Sequence, residues 1–138
     1  MTATPDGPVR PSSRPPAPLT VAASLVGIEA LGYLVYGITE LAVLETERAQ
    51  MGATTAVFFL LYGAGLGYAG WAVYQLRSWA RAPIVMVQII QLLLAWNFRA
   101  GNTTGVAVGL AVVALVVLAG IFHPQSLDAL AEDDSTRP

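Results

Sequence analysis

The sequence predicts an all-α integral membrane protein, a polytopic up-down bundle of four transmembrane helices. Composition is the first reason: the chain is 55% hydrophobic and 12% charged, about half the ~25% charge of an ordinary soluble domain. Segregation of charge is the second, because most charged side chains lie in the tails and loops that separate four long apolar runs.

Residues 1–18 are predicted to form a disordered cytoplasmic tail. They contain six prolines, and proline fixes φ and lacks a backbone donor, which favours extended chain. A proline-rich ligand for a partner protein is the alternative. The segment lacks a basic start, a short apolar core and a cleavage site in succession. We therefore expect the first apolar run to remain as an anchor and not to be removed as a signal peptide.

Residues 19–123 form the predicted transmembrane domain. The spans cover about 20–44, 53–76, 80–98 and 103–122. These lengths suit a hydrocarbon core of ~30 Å at 1.5 Å of helical rise per residue. Pro83 suits the first turn of the third span, because backbone N–H groups in a first turn make no hydrogen bond within the helix and proline has none. Because the three connections are short, sequential helices should be antiparallel neighbours.

Residues 124–138 carry four acidic side chains and are predicted to form a second disordered cytoplasmic tail. A brief amphipathic turn through Leu127 and Leu130 is the alternative. With four spans, both tails and the second connection share one side of the membrane. That side carries five arginines and the other carries two. Arginine favours the cytoplasmic side, so we expect both termini in the cytoplasm and the protein in the plasma membrane.

One carboxylate, Glu29, lies deep inside the first apolar run. An ionisable group at this depth costs about 2.5–3.5 kcal/mol on insertion scales, so it requires a partner or a role. Glu29, Tyr33, Tyr36 and Glu40 are spaced to share one stripe of the helix. Lipid offers such a stripe no hydrogen bonds, so it should face the bundle interior.

Depth along the spans predicts the partners of Glu29. Glu29 lies ~13 Å along its span from the predicted cytoplasmic side. Measured from the same side, the depth is ~8–12 Å for Gln88 and Gln91 on the third span and for Tyr68 on the second. No basic residue reaches this depth, so the charged form of Glu29 is disfavoured and we expect a protonated side chain at neutral pH. The predicted intramembrane polar cluster contains Glu29, Tyr33, Tyr36, Tyr68, Gln88 and Gln91.

Glycines on two spans predict close helix packing. Gly63, Gly67 and Gly70 share a face of the second span, and Gly105 and Gly109 share a face of the fourth. Small residues at such spacing let helix backbones approach each other, as in G-x-x-x-G pairs. The first interpretation is packing inside the monomer; the second is a homo-oligomer or a membrane-protein partner.

The composition also excludes several kinds of function. The chain has no cysteine and one histidine, which excludes thiolate sites, multi-histidine metal sites and cysteine nucleophiles. A net charge of −2 gives no reason to expect nucleic-acid binding. The glycines from Gly63 to Gly67 lie within an apolar run and not in a nucleotide-binding loop. We expect neither a cofactor nor enzyme activity.

The segment Arg77-Ser-Trp-Ala-Arg81-Ala-Pro83-Ile-Val-Met-Val-Gln88-Ile-Ile-Gln91 resembles a group of small, uncharacterised actinobacterial integral membrane proteins. The shared features are a Trp-Ala-Arg-x-Pro entry to the third span, a glutamine within that span and a proline-rich tail before the first. The resemblance implies a four-span membrane protein and marks Pro83 and Gln88 as structural positions. It implies no reaction.

Two functions remain open from the sequence. The first is a structural or accessory membrane component that acts through helix packing, with Glu29 as a neutral hydrogen-bonded group that sets helix register. The alternative is a small proton- or cation-linked transporter or channel subunit that uses Glu29. A relay normally needs a chain of ionisable groups, and only one acid lies deep, which favours the first. A continuous polar cavity from Glu29 to either face of the membrane would favour the second.

Overall fold

Four long helices and a short C-terminal helix form the structure, a computed structural model that describes residues 14–44 and 47–135 except the side chain of Asp133. Short 3-10 turns at Ser78–Ala80 and Gly101–Thr103 lead into the third and fourth helices. Over this part of the chain the all-α prediction is confirmed. The helices are α1 Ala17–Ala42, α2 Ala49–Tyr74, α3 Arg81–Asn97, α4 Thr104–Phe122 and α5 Pro124–Ser135.

The start of α1 corrects the predicted boundary of the N-terminal tail. The helix begins at Ala17, three residues before the predicted start of the span. Pro18 lies in the first turn, where a missing backbone N–H costs no hydrogen bond and the fixed φ suits the helix. Ala17 and Pro18 are therefore helical and not disordered. Residues 1–13 of the predicted tail lie outside the described part of the chain.

The turn between α2 and α3 is organised by the backbone around Leu76. Leu76 has a φ of 62°, a left-handed conformation that commonly ends helices. Its N–H donates to the carbonyl of Val73 at 3.0 Å, and the N–H of Arg77 donates to the carbonyl of Ala72 at 2.9 Å. These bonds satisfy carbonyl groups that the end of α2 would leave unpaired. The chain reverses direction here within a few residues.

The four long helices form an antiparallel ring. α1 contacts α2 and α4, and α3 contacts α4 and α2. The pairing of α1 with α2 runs in opposite directions, since Gly70 of α2 lies against Val26 and Gly63 lies against Ala30. The up-down order predicted from the short connections is therefore present. In this ring α1 and α3 occupy diagonal positions.

Small side chains fill the interior of the bundle and large apolar ones cover its outside. Ala30 and Ala69 are each 3% exposed, whereas Leu61 is 70% and Leu93 62% exposed. Membrane helices pack in this way, because small residues let backbones approach while large apolar side chains face lipid. The four long helical stretches, two of them counted with their 3-10 turns, are long and apolar enough to cross a membrane. They suggest a multi-pass membrane protein.

The acidic segment after α4 forms a helix over Pro124–Ser135, so the prediction of a disordered tail is wrong for these residues. Leu130 is 1% exposed and belongs to the buried core. The hydroxyl of Ser126, fully buried, donates to the carbonyl of Gly120 at 2.6 Å. Pro124 suits the first turn of a new helix, and burial of Leu130 stabilises that helix against the bundle. Residues 136–138 lie outside the described part.

The glycines of α2 pack against α1 as predicted. A Cβ added to Gly63 would lie 3.0 Å from the carbonyl oxygen of Ala30, and one added to Gly70 would lie 2.9 Å from Cγ1 of Val26. A Cβ on Gly67 would lie 3.4 Å from that of Ala30. All three glycines therefore allow a close approach of two backbones within one chain.

The glycines predicted on α4 do not pack against any other described residue. A Cβ added to Gly105 or Gly109 would meet no described atom within 4 Å. Both are two positions from Ala107, which is 5% exposed, and two positions turn a helix by ~200°. Packing inside the monomer is thus wrong for these two, and the oligomer alternative stays a prediction. Gly120 makes the close approach instead, since its added Cβ would lie 2.9 Å from that of Ala22.

Candidate functional site

Glu29 lies in the middle of the bundle, at half the height of its spans. The midpoint of Ala17–Ala42 falls beside Glu29, and the midpoint of Ser78–Asn97 falls beside Gln88. The middle of a ~30 Å hydrocarbon core is the depth most distant from water. A polar group at this depth must find its hydrogen bonds within the protein.

Two glutamine amides of α3 hold the carboxylate of Glu29. Nε2 of Gln88 donates to Oε2 of Glu29 at 2.8 Å, and Nε2 of Gln91 donates to Oε1 at 2.7 Å. Nε2 of Gln91 also donates to the carbonyl of Leu110 in α4 at 3.2 Å. The two glutamines are 0% and 2% exposed. The carboxyl group of Glu29 therefore joins α1 to α3, at the height where depth placed Glu29, Gln88 and Gln91. Gln91 extends the link to α4.

The geometry of the ring explains why these side chains are needed. Since α1 and α3 lie on its diagonal, long side chains must cross the interior for the two helices to interact. Gln88 and Gln91 are three positions apart and so lie on the same face of α3. Both amides thereby reach the one carboxylate that α1 directs inward.

The surroundings of Glu29 provide hydrogen bonds but no cation, and they leave two amide oxygens unpaired among the described residues. The described arginines lie at the ends of the spans or outside them, and the bonds that Glu29 receives come from neutral amides. Within the described chain, Oε1 of Gln88 and Oε1 of Gln91 are buried without a hydrogen-bond partner. A buried acceptor of this kind costs about 1–3 kcal/mol. The predicted protonation of Glu29 stays a prediction.

Two tyrosines cover one side of the carboxylate. The rings of Tyr33 and Tyr62 meet edge to face with centroids 4.9 Å apart, and Tyr33 also stacks on Phe59 at 5.8 Å. Both tyrosines lie within electrostatic range of Glu29. The sequence prediction included Tyr33 and missed Tyr62. The missed signal is spacing, since Tyr62 is four positions before Leu66, which is 4% exposed, and continues that buried stripe.

Tyr36 and Tyr68 do not belong to the cluster, which corrects the prediction. Tyr36 is 47% exposed, and Glu40 is the acidic side chain that lies near it. Tyr68 is 59% exposed and lies 5.7 Å, centroid to centroid, from the ring of Trp79 on the outer surface. Depth along a span gives the height of a side chain but not its direction. The angle around the helix decides the direction, and each helix turns ~100° per residue.

The main surface pockets of the described chain lie elsewhere. Five of them are lined by other residues, and none of these five includes Glu29, Gln88 or Gln91. In residues 14–44 and 47–135, no three histidine, aspartate or glutamate side chains lie close enough together to hold a metal ion. The arrangement around Glu29 is thus suited to hold helices together or to carry one proton.

Comparisons with protein-family models, with curated proteins and with solved structures found no match. The resemblance of residues 77–91 to the actinobacterial membrane proteins stays a prediction.

Proposed function

We propose that this chain is a structural or accessory membrane protein that acts through helix packing, and that Glu29 sets the register of its helices. The observation that carries the proposal is the use of both carboxylate oxygens by amides from α3. A carboxyl group held in this way fixes the height and the rotation of α1 relative to α3. The bond from Gln91 to Leu110 extends the same constraint to α4.

The energies of such bonds fit a role in register. Hydrogen bonds between membrane helices average ~0.6 kcal/mol, so they select one arrangement more than they stabilise it. A proton relay would need further ionisable groups along the membrane normal. The nearest acid along α1, Glu40, lies near the end of the helix.

A proton- or cation-linked transport subunit is the second candidate. One observation favours it: two buried amide oxygens beside the carboxylate have no partner in the described chain. Carboxylate and carbonyl oxygens are the ligands that hard cations prefer. A site of this composition at the membrane midplane could hold one positive charge.

Flux through reconstituted liposomes separates the two candidates. We expect liposomes with the full-length protein to dissipate a proton or sodium gradient no faster than protein-free liposomes. Glu29→Gln should then leave the rate unchanged. A gradient that collapses with the wild-type protein and persists with Glu29→Gln would reject the structural role. Tyr68→Phe, which removes a hydroxyl outside the cluster, is the matched control.

The accessory role itself is tested by purification from the native membrane after chemical cross-linking. We expect the chain to be recovered with a second copy or with a defined membrane protein. Glu29→Leu should reduce that recovery because the packing surface depends on helix register. Recovery of the monomer alone, in wild type and variant alike, would contradict the role.

The distribution of arginine supports a cytoplasmic location of both termini. Arg14, Arg77 and Arg81 lie at the end of the bundle that carries α5, whereas Arg48 and Arg99 lie at the opposite end. Arginine near the ends of spans is retained preferentially on the cytoplasmic side. Together with the cytoplasmic location of both termini, we propose that the protein lies in the plasma membrane.

A further inference from the structure

α5 packs against one end of the bundle, beside the turn that leads into α3. Leu130 is part of the buried core, and the hydroxyl of Ser78, in the turn before α3, donates to Oδ1 of Asp134 at 2.6 Å. α5 is therefore attached both to the end of α4 and to the beginning of α3. Its position leaves a groove between the outer face of α3 and the junction of α4 with α5.

This corner groove is large and almost wholly apolar. It has a volume of about 700 Å³, and Arg81 is its one charged lining residue. Large apolar side chains on its wall are well exposed, such as Met86 at 65% and Phe122 at 52%. The lining residues are Arg81, Ala82, Val85, Met86, Ile89, Ile90, Phe122 and Leu127.

The groove has the length of one membrane leaflet. Its wall on α3 runs from Arg81 to Ile90, which is ~13 Å at 1.5 Å per residue. Half of a ~30 Å hydrocarbon core is ~15 Å. Since Ile90 lies near the middle of its span and Arg81 near its end, an acyl chain could lie along the whole wall. Its headgroup would then be at the height of Arg81.

Charge at the mouth of the groove selects the headgroup. Arg81 is exposed, and none of the groove's lining residues is acidic. A guanidinium forms paired hydrogen bonds with phosphate oxygens. Trp79, 43% exposed, lies at the same end of the span, where indole rings mark the interface between lipid and water.

The corner groove differs from a second groove in the molecule by its charged lining residue. The groove between α2 and α3 has a volume of 280 Å³, and its lining includes Trp79 and Pro83 but no charged residue. An acyl chain could pack on this surface, but no lining residue carries a charge that would bind a phosphate. The corner groove combines both features, which is the composition of a phospholipid site.

We propose that the corner groove binds one phospholipid with an anionic headgroup. Its acyl chain lies along α3 from Val85 to Ile90, and its phosphate lies on the guanidinium of Arg81. The bound lipid covers apolar side chains that α5 leaves exposed at the end of the bundle. The proposal is independent of the role of Glu29.

Native mass spectrometry of the full-length protein in detergent tests the proposal, with phosphatidylglycerol and phosphatidylcholine of identical acyl chains as probes. We expect phosphatidylglycerol to bind more tightly. Arg81→Gln should weaken phosphatidylglycerol about fivefold, as expected for one basic residue at a membrane surface. It should weaken phosphatidylcholine less, because the choline cation offsets the charge of the phosphate. Ala82→Trp should fill the groove and displace both lipids. Ile89→Trp is a second groove-filling variant.

Arg99→Gln is the matched control, because Arg99 lies at the opposite end of the bundle, 3.9 Å above the ring of Trp96. It should bind phosphatidylglycerol as the wild type does. Equal binding of the two lipids, wild-type phosphatidylglycerol binding by Arg81→Gln, or an equal loss in Arg99→Gln would overturn the proposal. Thermal unfolding of every variant confirms that the lost binding does not reflect a lost fold.

Discussion

At the scale of single residues, burial of the Glu29 carboxyl group costs free energy, and hydrogen bonds from neutral amides compensate for it. Its two oxygens accept amides at 2.8 and 2.7 Å, and neither bond brings a formal charge with it. Gln91 is the more constrained amide, since its Nε2 is shared with the carbonyl of Leu110. Gln88 bonds only to Glu29 among the described residues. Its amide is therefore less constrained than that of Gln91 against a rotation that exchanges Nε2 and Oε1.

Removal of the carboxyl group should therefore destabilise the bundle. We expect Glu29→Leu to lower the free energy of unfolding by about 1–3 kcal/mol, because two buried amides lose their partner. Gln91→Leu should show a coupling energy with Glu29→Leu of about 1 kcal/mol in a double-mutant cycle. Unfolding in mixed detergent micelles measures both values. Tyr68→Phe should change stability by less than about 0.5 kcal/mol, and a coupling near zero would contradict the shared bond.

At the scale of helices, glycine position decides which faces approach closely. Three glycines of α2 lie against α1, and Gly120 of α4 lies against Pro18 and Ala22, where its added Cβ would come within 2.6 and 2.9 Å of their atoms. Ridges of small residues replace the hydrophobic driving force that lipid does not provide. The outward glycines of α4 make no such contact in the described chain.

Matched substitutions at two glycines test this difference. Gly70→Leu should destabilise the bundle by about 1–3 kcal/mol, because the new side chain overlaps Val26 of α1 and the helices must separate. Gly109→Leu adds the same side chain where no described atom lies within 4 Å, so stability should not fall. Thermal unfolding in detergent measures both. An equal loss at the two positions would contradict the assignment of faces.

α5 should depend on one buried leucine. Leu130→Ala removes a side chain that is 1% exposed, and such truncations cost about 2–5 kcal/mol in well-packed sites. We expect α5 to detach from the bundle before the spans unfold. Cleavage within α5 by proteinase K, followed by mass spectrometry, should be faster than in the wild type. Leu127→Ala, at a partly exposed position of the same helix, should show a smaller increase.

At the scale of the whole molecule, one end of the bundle is closed and carries three of the described arginines. Arg14, Arg77 and Arg81 lie at the end covered by α5. The same end carries the corner groove with its basic mouth. The proposed orientation in the membrane and the proposed lipid site thus involve the same end of the bundle.

Cysteine labelling can determine the orientation, because the natural chain has no cysteine. Asn102→Cys lies in the turn between α3 and α4, and Ser135→Cys ends α5; both positions are exposed. In intact cells a membrane-impermeant maleimide should label Asn102→Cys and not Ser135→Cys. Permeabilised cells should label both, which controls for access. The reverse pattern in intact cells would place the termini outside.

Much of the fold could be predicted from local chemistry. The four apolar runs, the short connections and the α2 glycines depend on composition and helical spacing, which act within one helix or between neighbours. The C-terminal helix could not be predicted in this way, because its acidic residues favour solvent. Contacts with the bundle, such as the burial of Leu130, stabilise it. Tyr68 was assigned to the wrong face for a related reason, since height is a property of sequence position and rotation is set by packing.

The sequence by itself determined that a lone carboxylate lies at the middle of a membrane bundle, because hydropathy and rise per residue set depth. It also determined that Gln88 and Gln91 share its height. Only the tertiary structure decided that both amides bond to Glu29, that Tyr62 lies beside it and that α5 forms the groove at Arg81. These depend on the rotation of each helix within the ring. That rotation follows from contacts between distant residues, which no single helix specifies.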